Sequence, residues 1–332
     1  MRPFEYIHPE KIEDALAAAG DGDAAFLGGG TNLVDLMNLE IEGPARLIDI
    51  GALGLDRIED AGGGLSIGAA VTNADLAAHP AIRERYPMAS AAVLSGASPQ
   101  IRNKATTAGN LLQRTRCAYF YDRARRCNKR APGSGCDAIE GRDRTHAILG
   151  ADPSCIATHP SDLAVALVAL NAVAVTARRD GEGRDLPVVD LLRLPGDHPE
   201  RDHVLEPGEL IVRIDLPADP PAHQAFRKVR ERASFEFAAA SIGVACDEAG
   251  GRLHNVRVAL GGVAHKPWRA GAAEVLLEGA VPDVPTIGKA AAAALADAMP
   301  GADAAKIRLT ERLIFATLRD LTAGVVAKGE AA

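Results

Sequence analysis

The stretch FLGGGTNL, residues 26–33, places three consecutive glycines between the apolar run 24–27 and a helix-like run at 33–39. Because glycine has no Cβ, backbone N–H groups in such a loop can approach a phosphate closely. The amino end of a following helix also favours negative charge. The stretch is not G-x-G-x-x-G, since the last glycine would fall on Leu33, and no Gly-Lys-Ser/Thr follows as in a Walker A loop. By itself it fits either a diphosphate-binding loop or a simple tight turn.

Two further turns carry small and polar residues. The first is ATTAGNL at 105–111, which by itself is typical of a helix cap or loop. The second is HPSDLAVAL at 159–167, where Ser161 is expected to cap a helix running from Asp162 to about residue 169. An acidic residue in the first turn suits the helix dipole. Asp162 could alternatively bind a sugar or ribityl hydroxyl.

A polar, arginine-rich segment separates these two turns and holds four of the five cysteines. They are Cys117, Cys127, Cys136 and Cys155, spaced C-x9-C-x8-C-x18-C. Such a segment buries too little apolar surface to order itself, so a metal centre could hold it. The C-x2–4-C pairs of structural zinc sites are absent, and zinc, an iron–sulfur cluster, disulfides and free thiols all stay open on spacing alone.

Other polar and thiol groups near this segment have simpler interpretations. Flanking Arg and Lys residues are expected to lower thiolate pKa values and to offset the charge of a cluster. His146 and His159 are expected to be hydrogen-bonded loop residues. Cys246 lies in an apolar run and is expected to be a buried core thiol.

Composition limits the class of protein. A chain of 332 residues can form two domains with sizeable cores, and 47% hydrophobic with 24% charged residues is ordinary for a soluble globular protein. The net charge of −7 argues against a nucleic-acid binder. No apolar run approaches the about 20 residues of a membrane span. Without an export signal of its own, the chain is expected in the cytoplasm, or in the periplasm by export with a signal-bearing partner.

The breaker-rich Asp219-Pro220-Pro221 predicts a domain boundary. Strands are expected beyond it at 222–232, 237–246 and 256–261, followed by helices at 271–277, 285–299 and 305–323. Strands followed by helices indicate an α+β domain. The predicted domains are therefore 1–218 and 222–326.

The ordered set FLGGGTNL, ATTAGNL, HPSDLAVAL and FRKV (226–229) resembles the FAD-binding (medium) subunit of the xanthine dehydrogenase family of molybdenum hydroxylases. The resemblance implies a two-part vanillyl-alcohol-oxidase-type (PCMH-type) FAD-binding domain. A smaller CO-dehydrogenase-flavoprotein-type C-terminal α+β domain would follow. The cysteine segment, about 114–156, resembles an insertion in the FAD subunits of periplasmic aldehyde oxidoreductase and 4-hydroxybenzoyl-CoA reductase. The aldehyde oxidoreductase is the more similar of the two.

The same resemblance implies two cofactors and a set of site residues. A [4Fe–4S] cluster would be bound by Cys117, Cys127, Cys136 and Cys155. FAD would be contacted by Phe26, Leu27, Gly28, Gly29, Gly30, Thr31, Asn32, Leu33, Thr106, Thr107, Gly109, Asn110, Ser161, Asp162, Ile211 and Lys228.

The implied function is electron transfer within a heterotrimer. A large subunit would hold a molybdenum cofactor, a small subunit would hold [2Fe–2S] clusters, and FAD would pass electrons to an external acceptor. No residue of this chain need act as a general acid or base, because a flavin supplies the redox chemistry. The alternatives are a 4-hydroxybenzoyl-CoA-reductase-type subunit, a self-contained flavoprotein oxidase and a zinc-stabilised scaffold. Neither the substrate nor the acceptor follows from the sequence.

Overall fold

The computed structural model of the protein describes residues 1–20, 22–141, 144–181 and 183–329, with side chains described through residue 323. Arg142 and Asp143, which belong to the predicted cysteine insertion, lie outside the described residues. The described residues form three β-sheets surrounded by helices. This is the mixed α+β architecture that the sequence predicts.

The glycine loop lies at the end of a small parallel sheet. The elements of this region are β1 (Glu5–Ile7), α1 (Ile12–Ala19), β2 (Ala24–Leu27), α2 (Leu33–Asn38) and β3 (Arg46–Asp49). β3 is central and pairs in parallel with both β1 and β2. Ala15 and Leu16 of α1 pack on Ile48 of β3 in a shared core. The glycine loop thus connects the end of β2 to the start of α2.

A five-stranded antiparallel sheet, in the order β4-β5-β8-β6-β7, forms the second part of this half of the chain. The apolar helix α9 is buried along its whole length, as expected for a helix that is hydrophobic on all sides. Ser161 caps α9 by accepting a hydrogen bond from the N–H of Ala164, as predicted. The elements are β4 (Ile58–Ala61), β5 (Gly64–Gly68), α3 (Asn73–Ala78), α4 (Pro80–Arg85), α5 (Pro87–Ser95), α6 (Pro99–Arg102), α7 (Thr107–Leu111), α8 (Ala118–Tyr121), α9 (Asp162–Ala169), β6 (Val173–Ala177), β7 (Asp185–Pro187), α10 (Val188–Leu191) and β8 (Leu210–Leu216).

The C-terminal region is a four-stranded antiparallel sheet, in the order β12-β11-β10-β9, covered by helices. Cys246 is buried in its core, as predicted. Ile148 and Leu149, from the end of the cysteine segment, belong to the same core, so this segment bridges both halves of the chain. The elements are β9 (His223–Val229), β10 (Ala240–Ala249), β11 (Arg252–Gly261), β12 (Trp268–Arg269), α11 (Gly271–Leu277), α12 (Val284–Ala293) and α13 (Ala304–Gly329).

Several predictions of element length are wrong. The strand expected over 256–261 begins earlier, as Arg252–Gly261, and the helix expected over 305–323 extends over Ala304–Gly329. The expected strands at 222–232 and 237–246 are shorter at their facing ends, because Val229 pairs with Ala240 and the residues between them form a loop. Phe235 in that loop has φ +54°, which a strand does not allow. The helix expected over 285–299 ends at Ala293, where a turn follows. Among the described residues, no helix is long and apolar enough to cross a membrane.

Candidate cofactor cavity

A cavity of about 970 Å³ opens beside the glycine loop. This volume is at the upper end of the about 300–1,000 Å³ typical of small-molecule and cofactor sites. The glycine loop and the turn before α7 form its walls, together with the start of α9 and the loop 230–239. The predicted cofactor residues that line it are Phe26, Leu27, Gly28, Gly29, Gly30, Thr31, Asn32, Leu33, Thr106, Gly109, Asn110, Asp162, Ile211 and Lys228.

The glycines let the loop lie directly on the turn before α7. A Cβ at Gly29 would lie 1.6 Å from the carbonyl oxygen of Lys104, and one at Gly28 would lie 2.5 Å from the Thr106 hydroxyl. Both distances are far below van der Waals contact. Gly30 has φ +73°, in the left-handed region that favours glycine. The two turns therefore form one tightly packed wall, and the glycines are needed for this packing as well as for access by a ligand.

Thr107 and Ser161 lie behind this wall and brace it. The Thr107 hydroxyl is fully buried and donates to the carbonyl oxygen of Val71 at 3.0 Å. The Ser161 hydroxyl donates to Oδ1 of Asn110 at 2.5 Å while capping α9. Thr106 caps α7 through the N–H of Gly109. These hydrogen bonds fix the cavity wall to the buried helix.

Asp162 and Lys228 form a buried ion pair between the two halves of the chain. Nζ of Lys228 lies 2.7 Å from Oδ2 of Asp162, and their side chains are only 3% and 8% exposed. Lys228 also donates to the carbonyl oxygen of Ser95 at 3.3 Å. Burial raises the pKa of the Asp162 carboxyl, and the charge of Lys228 opposes this. The pair joins the start of α9 to β9 at the cavity.

The structure adds cavity residues that the motifs do not identify. Arg116, from the start of the cysteine segment, lies over the ring of Phe237 at 4.9 Å, and both line the cavity. Arg232 and Phe235 also line it. For Arg232, Phe235 and Phe237, the only sequence signal is the Arg- and Phe-rich stretch 230–237. Its weak alternation of polar and apolar residues resembles the end of a strand.

The four cysteines of the insertion are neighbours in space. All are free thiols, and Cys127 and Cys136 face each other in an isolated antiparallel bridge. Burial raises the pKa of Cys117 to about 11 and that of Cys155 to about 12. A charge on either Cys127 or Cys136 raises both pKa values further, so each of the outer thiols lies near both inner ones.

Buried charges hold this segment in place. Nζ of Lys129 lies 2.5 Å from Oδ1 of Asp202, and Nε of Arg114 lies 2.6 Å from Oδ2. Burial alone raises the pKa of Asp202, but these two cations lower it to about 2. His146 places Nε2 3.2 Å from Sγ of Cys117, and His159 places Nε2 3.1 Å from the carbonyl oxygen of Leu111. Both histidines are thus hydrogen-bonded loop residues, as predicted.

The four cysteines are not arranged as a tetrahedral zinc site. In a tetrahedral zinc site, sulfur ligands lie about 3.8 Å apart because each Zn–S bond is about 2.3 Å. Across the described ranges, no group of three or more His, Cys, Asp or Glu side chains is close enough to hold a single metal ion.

Comparisons with known families and proteins identify what this chain is similar to. The family described as "FAD binding domain in molybdopterin dehydrogenase" matches residues 2–219, and "CO dehydrogenase flavoprotein C-terminal domain" matches 224–319. The chain is 52% identical over 283 residues to the aldehyde oxidoreductase FAD-binding subunit PaoB of Escherichia coli, covering 83% of this chain and 86% of PaoB. It is 25% identical to the glyceraldehyde dehydrogenase medium chain of Sulfolobus acidocaldarius, covering 80% and 78% of the two chains.

Solved structures show the same fold. A carbon monoxide dehydrogenase chain from Hydrogenophaga pseudoflava superposes with a TM-score of 0.73 at 27% identity, covering 95% of this chain and 96% of that one. The predicted fold, an FAD-binding domain followed by a CO-dehydrogenase-flavoprotein-type C-terminal domain, is confirmed. The chain belongs to the FAD-binding medium subunits of the molybdenum hydroxylase family, which are subunits of oxidoreductases.

Proposed function

We propose that this chain is the FAD- and [4Fe–4S]-containing electron-transfer subunit of a molybdenum-dependent aldehyde (or xanthine-type) dehydrogenase. One observation supports this most strongly: four free, neighbouring cysteines occupy a segment that begins at the wall of the cofactor cavity. The similarity to an aldehyde oxidoreductase FAD-binding subunit favours the aldehyde branch.

In this proposal the glycine loop and the turn before α7 hold the diphosphate of FAD. Residues of both turns line the cavity, and a glycine backbone can approach a phosphate closely. Asp162 and Lys228 would lie beside the ribityl chain or the flavin, and Ile211 would pack against the flavin. Thr107 and Ser161 would act indirectly, by bracing the wall. The flavin supplies the redox chemistry, while the protein orients it and limits its contact with water.

The cluster would be held by Cys117, Cys127, Cys136 and Cys155. Metal ligation requires thiolates, whereas burial raises the pKa of Cys117 and Cys155. Iron would therefore replace the protons that these two buried thiols otherwise retain. Lys129, whose charge lowers the pKa of Cys155, would support the thiolate form. The segment would extend over about 114–156, inside a domain that ends near residue 218. A second domain would occupy 222–326.

The partners in this proposal are a molybdenum-cofactor large subunit and a [2Fe–2S] small subunit, forming a heterotrimer. Electrons would reach the FAD from the partner subunits and leave to an external acceptor. The complex would work in the cytoplasm, or in the periplasm after export with a signal-bearing partner.

Anaerobic purification of the chain, with visible spectroscopy and assays of FAD, iron and acid-labile sulfide, tests the proposal. We expect flavin absorption together with iron and sulfide in equal amounts. Cys127→Ser should lose iron and sulfide but still take up FAD at saturating concentration. Cys246→Ala, which changes a thiol in the C-terminal core, is the matched control and should keep both cofactors. Zinc without sulfide would exclude the cluster, and protein without flavin would exclude the main proposal.

A further inference from the structure

Asn32 occupies the N-cap position of α2 but makes no capping hydrogen bond. Its Oδ1 instead accepts the backbone N–H of Arg114 at 2.8 Å, and its Nδ2 donates to the Tyr121 hydroxyl at 3.4 Å. Both partners belong to the cysteine segment, while Asn32 itself lines the cofactor cavity. One side chain therefore joins the cavity wall to the start of the insertion.

The insertion is fixed on the other side of this contact. The guanidinium of Arg114 pairs with Asp202 and with Glu42 and donates to the carbonyl oxygen of Glu200 at 3.1 Å. The backbone N–H that Asn32 accepts thus belongs to a residue whose side chain is already held. A shift of the glycine loop would therefore move the Arg114 backbone and disturb the ion pairs of its guanidinium.

Apolar packing strengthens the same connection. Leu36 of α2 shares a small core with Phe120 and Cys127, and Cys117 and Tyr121 pack against it. Two of the four cysteines therefore belong to, or pack against, the small core that includes the helix after the glycine loop. Ligation of these thiols and occupation of the cavity would both restrict α2 and the loop before it.

We propose that Asn32 is a positioning residue through which cofactor binding in the cavity and cluster binding in the cysteine segment stabilise each other. This inference rests on the proposed function, since it requires FAD and a cluster to bind. Each centre orders the Asn32–Arg114 contact, so the second to bind loses less conformational freedom than the first. Such coupling is reciprocal: the factor by which the cluster tightens FAD binding equals the factor by which FAD tightens cluster binding.

The test is the FAD dissociation constant of the full chain, measured with its cluster and after the iron has been removed by a chelator. In the wild type we expect the constant to rise about tenfold on removal, within the usual range of coupling between sites. In Asn32→Ala the ratio of the two FAD dissociation constants, without and with the cluster, should fall to nearly one. Asn32→Asp keeps the acceptor for the Arg114 N–H, so it should retain most of the ratio even if its charge weakens FAD binding in both states. Asn38→Ala, the same change at the exposed end of α2, is the control and should keep the tenfold ratio.

Several results would overturn the inference. One is a wild-type FAD dissociation constant that is equal with and without the cluster. Another is a ratio of these constants in Asn32→Ala that is as large as in the wild type. If Asn32→Ala does not bind FAD, Tyr121→Phe replaces it, because this change leaves every cavity residue in place. Its ratio should then fall below that of the wild type, and an unchanged ratio contradicts the inference. A wild-type chain that binds no FAD or no iron refutes the proposed function instead, and the assays of flavin and iron show this before any ratio is measured.

Discussion

The glycine loop and the cysteine segment lie side by side but are held by opposite means. The loop is held by close backbone packing, with Gly29 against the carbonyl of Lys104, and by helix caps. The segment is held by buried charges, with Asp202 between Lys129 and Arg114. Because the cavity wall depends on close packing, one added methyl group should disrupt it. The cysteine segment depends on ion pairs, so the loss of a charge or a change of pH should disrupt it. The cavity wall can therefore exist before its ligand binds.

The largest effect should come from removing the central charge of the segment. Asp202→Asn leaves the buried ammonium of Lys129 without a counter-charge and leaves the guanidinium of Arg114 with Glu42 alone. We expect the free energy of unfolding to fall by about 3–5 kcal/mol, as when one partner of a buried pair is removed. Urea unfolding followed by circular dichroism measures it. Asp122→Asn, which changes an exposed pair with Arg125, should cost less than about 1 kcal/mol. Equal losses in the two variants would show that the buried network does not hold the segment.

The matching change in the cavity wall is Gly29→Ala. The new methyl group would overlap the carbonyl oxygen of Lys104, so the glycine loop must separate from the turn before α7. We expect a loss of about 3 kcal/mol, the upper part of the usual range for overpacking, and purification without bound FAD. Thermal unfolding and flavin content measure both effects. Gly22→Ala, where a Cβ meets nothing within 4 Å, should behave as the wild type. Normal flavin content in Gly29→Ala would show that the two turns need not touch.

Acid should affect the region behind the cysteine segment. Burial lowers the pKa of His159 to about 4 and that of His265 to about 3, from an unfolded value near 6.5. The unfolded chain thus takes up protons below pH 6.5 that the folded chain does not bind, and stability falls as the pH drops through this window. In the described part of the chain, neither ring nitrogen of His265 has a hydrogen-bond partner.

His265→Leu removes one of these two titrating groups. Relative to the wild type, it should recover about 2 kcal/mol between pH 7.5 and pH 5, since each pKa unit corresponds to about 1.4 kcal/mol. Urea unfolding at both pH values gives the difference. The exposed His198 offers a control for the loss of a histidine side chain, and His198→Gln is measured alongside. A parallel loss in His265→Leu and wild type would assign the acid sensitivity to other groups.

The smallest effect should come from the contact between the cysteine segment and the loop 230–239 at the cavity. Phe237→Leu removes the ring under the Arg116 guanidinium, a cation–π contact worth about 0.5–1 kcal/mol at an exposed site. The FAD dissociation constant should rise about threefold in a fluorescence titration, with little change in stability. Phe4→Leu, at an exposed ring near the amino terminus, should leave it unchanged. A change above about 100-fold would mean that Phe237 contacts the cofactor directly.

Local rules predicted the parts of the site that depend on short stretches of chain. The cap at Ser161 and the glycine turn both follow from residue types and spacing. The loop 230–239 was mistaken in part for strand, because Arg and Phe residues there fit a strand pattern while their partners lie across the cavity. Likewise, the sequence shows Lys129 and Arg114 only as basic residues near the cysteines, although both pair with the distant Asp202.

The sequence by itself determined the order of the turns, the caps and the four cysteines, because these depend on backbone conformations and on side chains close in the chain. Only the tertiary structure decided which distant groups meet. Asn32 could have capped α2 or faced a ligand, yet its side-chain Oδ1 accepts the N–H of Arg114, 82 positions away. Gly28 and Gly29 could have served ligand access alone, yet Lys104 and Thr106 lie where their side chains would be. Such contacts depend on how sheets and helices pack, and no short-range pattern encodes that arrangement.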